Sequence, residues 1–319
     1  MTKTRTLHTY PGWPRLSAAE GVGIVDRPWP RALAFSNQTF PFELFDMTSH
    51  PNLGMHSHED FSELVVVHSG KGVHTTANGE YTISAGDVFV VTGDLAHGYK
   101  DVDSLCLVNV VYDASIMLRG VTELKRLPGY NALFHLEPRY RRQHWFESRL
   151  RLSPDQMDRL LTLLEKIAGI VLSRRPGYEL RTRIRFLDLI CFLCEQYAGS
   201  ANPATRSLLL MDDIIHFIES NANGPLTLKD LTGRARMAER TLLQLFREAT
   251  GVSPIDYVIR TRVARATDLL RSTRQNVTEV AFQCGFQDSS YFARQFRRVT
   301  GMSPSAYRAR YTRRPVGPL

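Results

Sequence analysis

Thr250-Gly251-Val252-Ser253-Pro254-Ile255-Asp256-Tyr257 returns fifty residues later as Thr300-Gly301-Met302-Ser303-Pro304-Ser305-Ala306-Tyr307. A motif that recurs at a fixed offset marks a repeated structural unit. Each copy reads as one helix ending and another starting. Thr-Gly lets the chain leave a helix through a left-handed residue, and Ser-Pro supplies an N-cap and a first-turn proline. Upstream of the first copy, Leu231, Met237, Leu242 and Phe246 space out a short helix, a turn and a longer helix. Val280, Phe286, Phe292 and Phe296 do the same before the second, with one more residue in the turn. Between the units, residues 254–270 place Tyr257, Val258, Val263, Ala266, Leu269 and Leu270 on one side of a helix.

The pattern predicts two helix-turn-helix units. In the second, 277–284 supports, Gly285 turns, and 288–300 is the recognition helix, with Ser289, Ser290, Arg294, Arg297 and Arg298 facing outward. In the first, 228–235 supports and 238–249 recognises, showing Glu239, Arg240, Leu243, Gln244 and Arg247. Charge agrees. The 319-residue chain carries a net +8, and from Leu208 onward 17 Lys+Arg face 10 Asp+Glu. The basic surplus is thus local to the repeat and nearly all arginine, the side chain suited to bidentate contacts with phosphate and guanine. Double-stranded DNA is the expected partner. Two units on a rigid helix would sit about one duplex turn apart, roughly 34–36 Å.

Gln283-Cys284-Gly285-Phe286-Gln287-Asp288-Ser289-Ser290-Tyr291-Phe292-Ala293-Arg294-Gln295-Phe296, followed by Thr300-Gly301-Met302-Ser303-Pro304, resembles the signature of the AraC/XylS regulators. The resemblance covers about 208–310. It implies base reading by Arg240, Leu243 and Gln244 in the first unit, and by Ser289, Ser290, Ala293 and Arg294 in the second. Two positions depart from the family. Arg236 stands where a glycine is preferred, which predicts a strained or reshaped first turn. Leu243 is apolar, suited to a thymine methyl or to packing.

The N-terminal half reads differently. After an arm with a leading strand (1–35), β-prone runs at 61–67, 72–76, 81–83, 88–91 and 105–111 alternate with turn residues at 68–70, 78–79, 85–87 and 92–94. Short strands at this spacing predict a barrel or sandwich over 36–150, and Asn78-Gly79 predicts a hairpin. Ser153-Pro154-Asp155 then opens a helix with Met157, Leu161, Leu164, Ala168 and Val171 on one stripe. Arg174-Arg175-Pro176-Gly177 ends it, and a second helix carries Leu180, Ile184, Leu187, Cys191 and Cys194. The pair over 151–198 is expected to dimerise the chain. Residues 199–207 have linker composition, and 208–312 completes the chain as the DNA-binding domain. The fold class is therefore α+β and multidomain: a β-barrel with a helix pair, then an all-α domain.

His56-Ser57-His58, Glu63, Gly70, Gly86 and His97 carry a second pattern. It resembles the two cupin motifs, whose three His and one Glu converge inside a barrel. His50, Thr92 and Asp94 depart from those motifs at structural positions. Three readings stand open: a hydrogen-bonded polar interior, an effector pocket, and a site for Fe, Mn, Ni or Zn. The first two overlap, because a sugar pocket needs buried polar groups. Residues 56–112 look most like the rhamnose-responsive branch of the regulators, which implies a sugar effector. Cys191 and Cys194 share one apolar stripe and read as packed thiols, and four cysteines do not make a disulfide framework here.

The resulting expectation is a cytoplasmic homodimeric transcription activator. It would bind double-stranded DNA, recruit RNA polymerase and answer to a sugar such as rhamnose bound by His56, His58, Glu63 and His97. No cofactor, catalytic residue or membrane partner is assigned, since no run of about 18 apolar residues exists. The alternatives are a metal-dependent cupin enzyme with a DNA-binding appendage, and a nucleoid-type binder without sequence preference.

Overall fold

The computed structural model describes residues 28–311 apart from 48, 94 and 142–147. Most of the expected arm, the departure at Asp94 and residue 312 lie outside the described residues. The chain divides into two units, Met1–Leu209 and Leu210–Leu319.

The first unit is built on β1 (Pro28–Trp29), β2 (Phe42–Met47), β3 (Leu53–His58), β4 (Ser62–Thr76), β5 (Gly79–Ser84), β6 (Asp87–Val91), β7 (His97–Tyr112) and β8 (Leu150–Arg151). The sheet order is β1-β3-β7-β4-β6-β8, with β2 also on β7 and β5 also on β4. Strands β4 and β7 pair along their whole lengths, Ser62 opposite Tyr112 and Thr76 opposite His97. One end of this ribbon carries β2 and β6, the other β3 and β5. Both ends contribute to one core: Val65, Val67, Phe89, Val91 and Leu107 pack with Tyr81, Ile83, Tyr99 and Leu105. The sheet therefore folds over on itself around an interior.

Several boundaries differ from the sequence reading. His68-Ser69-Gly70 does not end a strand. β4 runs through it while its register with β7 slips between Val67 and Val73. Gly70 takes φ +72, and a Cβ there would stand 2.1 Å from the Ser104 carbonyl oxygen. The turn chemistry is real, but it makes a bulge, which bends a strand without ending it. The hairpin forms with its loop at Ala77-Asn78, one residue earlier than expected. Residues from Pro28 belong to the β-domain, since β1 pairs with β3 and Ala34 and Phe35 are buried against Phe45 and Phe61.

Helices α1 (Pro154–Ser173) and α2 (Tyr178–Ala198) run antiparallel, with Gln156 of α1 donating to Gln196 of α2 at 2.6 Å. A capping box starts α1: Ser153 accepts from the Gln156 N–H, and the Gln156 side chain accepts from the Ser153 N–H. The first apolar stripe is not a free seam. Met157, Leu161, Leu164 and Ala168 are buried inside this unit. The second stripe stays open along its first half, with Leu180 64% and Ile184 53% exposed, while Cys194 is buried. Residues 203–207, which composition assigns to the linker, are helical. Asn202 accepts from the Ala204 N–H at 2.9 Å and Pro203 opens α3 (Pro203–Asn221). An Asn-Pro pair reads as a breaker, yet it also caps and starts a helix.

The second unit holds α4 (Leu228–Ala235), α5 (Glu239–Thr250), α6 (Pro254–Ser272), α7 (Val277–Gln283), α8 (Ser289–Thr300) and α9 (Pro304–Tyr311). The repeat is structural down to single atoms. The Thr250 hydroxyl donates to the Phe246 carbonyl at 2.7 Å, and that of Thr300 to Phe296 at 2.8 Å. Gly251 and Gly301 follow at φ 78 and 77. In the second half, Ile259, Val263, Ala266 and Leu270 of α6 pack on Val280, Ala281, Cys284, Phe286, Phe292 and Phe296.

Candidate functional site

The first site is the outer surface of the recognition helices α5 and α8. On α8, Phe292 and Phe296 are fully buried, so the helix can present only one face. That face carries Ser290, Arg294, Arg297 and Arg298, all exposed, with Ser289 and Ala293 half-buried at its edge. Asp288 caps α8 by accepting from the Tyr291 N–H at 2.5 Å, so its carboxylate is committed to the backbone. Arg294 makes no ion pair among the described residues; its guanidinium lies 5.8 Å from the Tyr291 ring centre. Arg298 is different, because it bridges to Asp256 of α6 at 2.5 Å. On α5, Arg240, Gln244 and Arg247 are exposed and Leu243 is half-buried. Gln244 donates to Glu248 at 2.9 Å.

Both turns pass through the left-handed region. Arg236 takes φ 51 and Gly285 φ 87. The first turn thus keeps the conformation a glycine would adopt, at a cost of roughly 1–2 kcal/mol for a residue with a Cβ. The expectation of strain holds, and that of a different shape at this residue does not.

The second site lies inside the folded sheet. His56 and His58 share a face of β3 because strand side chains alternate with period two. His56 sits opposite His97 of β7. Glu63 reaches in from β4, with Oε1 3.7 Å from His58 Nε2 and Oε2 3.7 Å from His97 Nε2. Ring nitrogens of His56, His58 and His97 lie within 4.8 Å of one another, all three residues buried. The structure therefore brings together all four residues picked out by spacing. It adds others that spacing missed. His74 Nε2 meets His97 Nδ1 at 3.1 Å. Asn109 donates to Glu63 Oε1 at 3.3 Å. Tyr99 packs at a tilt against His50 and His74 and edge-on to His97, its hydroxyl buried without a hydrogen-bond partner. Tyr99 was legible, being two residues from His97 on one strand. His74 was not, because the bulge at Gly70 resets which face β4 residues occupy.

Burial sets the charge state of this cluster. It pushes the Glu63 carboxyl up to about 8 and His50 down to about 4. Burial, and then the charge of His56, takes His58 to about 3. His74 and His97 are held well below the usual imidazole range by burial first. The buried Arg141 guanidinium adds to this from one side, paired with Glu137 at 2.7 Å and lying 5.1 Å from the Phe89 ring centre. Beside the cluster is a cavity of about 840 Å³, whose lining includes His58, Arg31, Asp60, Ser62, Asp113 and Ser115.

Two recognition helices on a repeated scaffold, following in the chain a β-domain with a polar interior, define a DNA-binding regulator with its own ligand-binding domain. The family of AraC-like ligand-binding domains matches residues 45–212, and a helix-turn-helix domain family matches 231–310. The chain belongs to the AraC family of transcription regulators, and the enzyme reading falls with that. It is similar to the HTH-type transcriptional activator RhaR of Escherichia coli K12, 30% identical over 254 residues, 79% of this chain and 86% of that one. RhaR of Shigella flexneri matches to the same extent. Among solved structures, the DNA-binding domain of AdpA in complex with a target DNA is 36% identical over 34% of this chain and 97% of its own, with TM-score 0.32. ToxT from Vibrio cholerae is 16% identical over 85% of this chain and 98% of its own, with TM-score 0.33. No helix among the described residues is long and apolar enough to cross a membrane.

Proposed function

We propose that the chain is a cytoplasmic transcription activator whose DNA binding answers to a small molecule, a sugar such as rhamnose, held in the β-domain. The observation that carries the DNA half is the single-sided α8: its inner face is fully buried, and its outer face offers Ser290, Arg294 and Arg297 with no acid among them. Arg240, Leu243, Gln244 and Arg247 on α5, with Ser289, Ala293 and Arg298 on α8, complete the proposed DNA surface. RNA polymerase is the expected further partner, by the family resemblance and the likeness to an activator. The effector half is supported by the cavity beside His58, whose charged and hydroxyl-bearing lining suits a polyol. Of the four residues expected to hold the effector, His58 lines this cavity, and His56, Glu63 and His97 cluster with it in the interior.

Arg294 provides the test. A guanidinium that grips a guanine edge is worth roughly 1–3 kcal/mol of discrimination. Arg294→Ala should lower operator affinity by about 10- to 100-fold and leave affinity for random duplex nearly unchanged. Equal loss on both DNAs, in a fluorescence-anisotropy titration, would reassign Arg294 to phosphate contact and remove α8 as a base reader.

We propose a homodimer through α2 rather than through both helices. Leu180 and Ile184 are exposed and Leu187 and Cys191 half-buried along one stripe. Arg181 and Arg185 flank its start, and Asp188 and Glu195 its end. Two copies of α2 laid antiparallel about a two-fold axis would set the basic end of each against the acidic end of the other. Ile184→Glu should convert a dimer to a monomer in sedimentation velocity with the circular dichroism of the folded chain unchanged, because Ile184 is 53% exposed and outside the core. A wild type that sediments as a monomer at micromolar concentration would end this proposal.

A further inference from the structure

We infer that Tyr291 is a positioning residue for DNA reading: its ring holds the Arg294 guanidinium ready for the duplex. The inference rests on Arg294 meeting DNA, as proposed above, and adds what orients it.

An exposed arginine samples many rotamers, and it loses that freedom when it grips a base edge. A neighbour that orders the side chain beforehand removes part of this cost. On α8 the neighbour is an aromatic ring. Tyr291 stands three residues before Arg294, a spacing that brings side chains together on a helix. Its ring centre lies 5.8 Å from the Arg294 guanidinium, inside the range over which a ring face attracts a cation. The choice of partner matters. A carboxylate would occupy the guanidinium N–H groups, whereas a ring face consumes none of them and leaves the donor fork free for a base. Tyr291 is 38% exposed, so most of its value to a packed core is forgone.

The ring is itself fixed from behind. Phe286, 2% exposed, lies 6.2 Å from the Tyr291 ring and 5.0 Å from that of Phe292, tilted to both. The Arg262 guanidinium lies 5.6 Å from the Phe286 centre and donates to the Ala222 and Gly224 carbonyls at 2.8 Å each. Cation, ring, ring and cation thus run in series from the braced end of α3 to the outer face of α8. The Tyr291 N–H donates to Asp288, which fixes the backbone from which the ring departs.

The repeat supplies an independent comparison. Residues 241–247 of α5 and 291–297 of α8 alternate between exposed and buried in the same order. Gln244 holds the place of Arg294, and Thr241 that of Tyr291. Thr241 offers no ring, and Gln244 is tied instead to Glu248, one turn later, at 2.9 Å. In both units the outward side chain at this place is held by a neighbour on its own helix. Only in the second does the tie leave every donor free.

The test uses the full-length chain and a duplex that the wild type recovers from a randomised library, with a scrambled duplex as reference. Anisotropy titrations give the ratio of the two affinities. Tyr291→Leu should lower that ratio about three- to fivefold, and Tyr291→Phe, which keeps the ring, should stay within about twofold of wild type. In an Arg294→Ala background Tyr291→Leu should cost nothing further, because no guanidinium is left to position. Circular dichroism melts check the fold, and Tyr291→Gln takes the place of Tyr291→Leu should the latter not fold. Wild-type affinities in Tyr291→Leu, or losses that simply add in the double variant, overturn the inference. So does a loss in Tyr291→Phe as large as that in Tyr291→Leu, which assigns the effect to the hydroxyl. Non-additive losses that are equal on both duplexes keep Tyr291 in its role and end base reading by Arg294, so the two proposals fail separately.

Discussion

Raising monovalent salt from about 50 to about 200 mM is expected to weaken binding of the full-length chain to duplex DNA by about a thousandfold. The size follows from which arginines are available, and the structure sharpens the sequence count here. Arg234 is paired with Asp213, Arg271 with Asp268, and Arg260 and Arg298 share Asp256. Arg262 and Arg265 donate to the carbonyls of Ala222, Gly224 and Glu219, bracing α6 against the end of α3. These side chains hold the domain together. Arg240, Arg247, Arg274, Arg294, Arg297 and Arg310 are exposed and form no ion pair among the described residues. With Arg294 kept for a base edge, about five phosphate contacts give a slope near −4.5 in log affinity against log salt, hence a loss approaching a thousandfold. Anisotropy titrations at four salt concentrations would measure it. A slope of −2 or shallower would mean that the arginine face is not the one that meets DNA.

Gly285→Ala should unfold the second helix-turn-helix or come close to it. Gly285 sits at φ 87, and a Cβ there would lie 2.4 Å from the Ala222 carbonyl oxygen and 2.8 Å from that of Asn223. Both obstacles are backbone, so neither can swing aside. The left-handed backbone alone costs roughly 1–2 kcal/mol, and forcing the turn off the loop at 222–223 should bring the total to about 3 kcal/mol or more. The matching change in the first unit runs the other way. Arg236 already bears the left-handed cost, so Arg236→Gly should be neutral or stabilise by up to about 1 kcal/mol, the gain being reduced by glycine's greater freedom in the unfolded chain. Denaturant melts of both variants measure the pair. A Gly285→Ala protein within about 0.5 kcal/mol of wild type would show that the turn does not need its glycine.

The C-terminal fold was legible because local signals and packing agree there. Thr250 and Thr300, the two Ser-Pro starts and the buried Phe292 and Phe296 each state the same helix ends from different directions. The β-domain was legible only in part. Alternation found the runs beside Asn78, but β2 and β3 escaped: Phe42–Met47 is buried almost throughout, so it lacks a polar face to alternate with, and Leu53–His58 is interrupted by glycine. The helix pair shows a different limit. Spacing put Leu164 and Leu187 on equivalent stripes, yet Leu164 is buried within the unit and Leu187 lies half-open. An apolar stripe records that a face is covered, without recording by what. At the His/Glu cluster, spacing named the four converging residues, while His74 depended on a bulge whose phase no local pattern carries.

The repeat has a consequence for the DNA itself. The two units share a left-handed turn residue and the same Thr-Gly exit, while their outer faces differ. The first recognition helix carries Glu239 in its opening turn, a glutamine engaged by Glu248, and the half-buried Leu243. The second carries Arg294 and Arg297 with its one nearby acid spent on the cap. Equal frames with unequal lettering imply an operator whose two half-sites carry unequal information. The stretch under the second unit would be tightly spelled, and the stretch under the first would tolerate many spellings while still fixing the protein's footprint on the duplex.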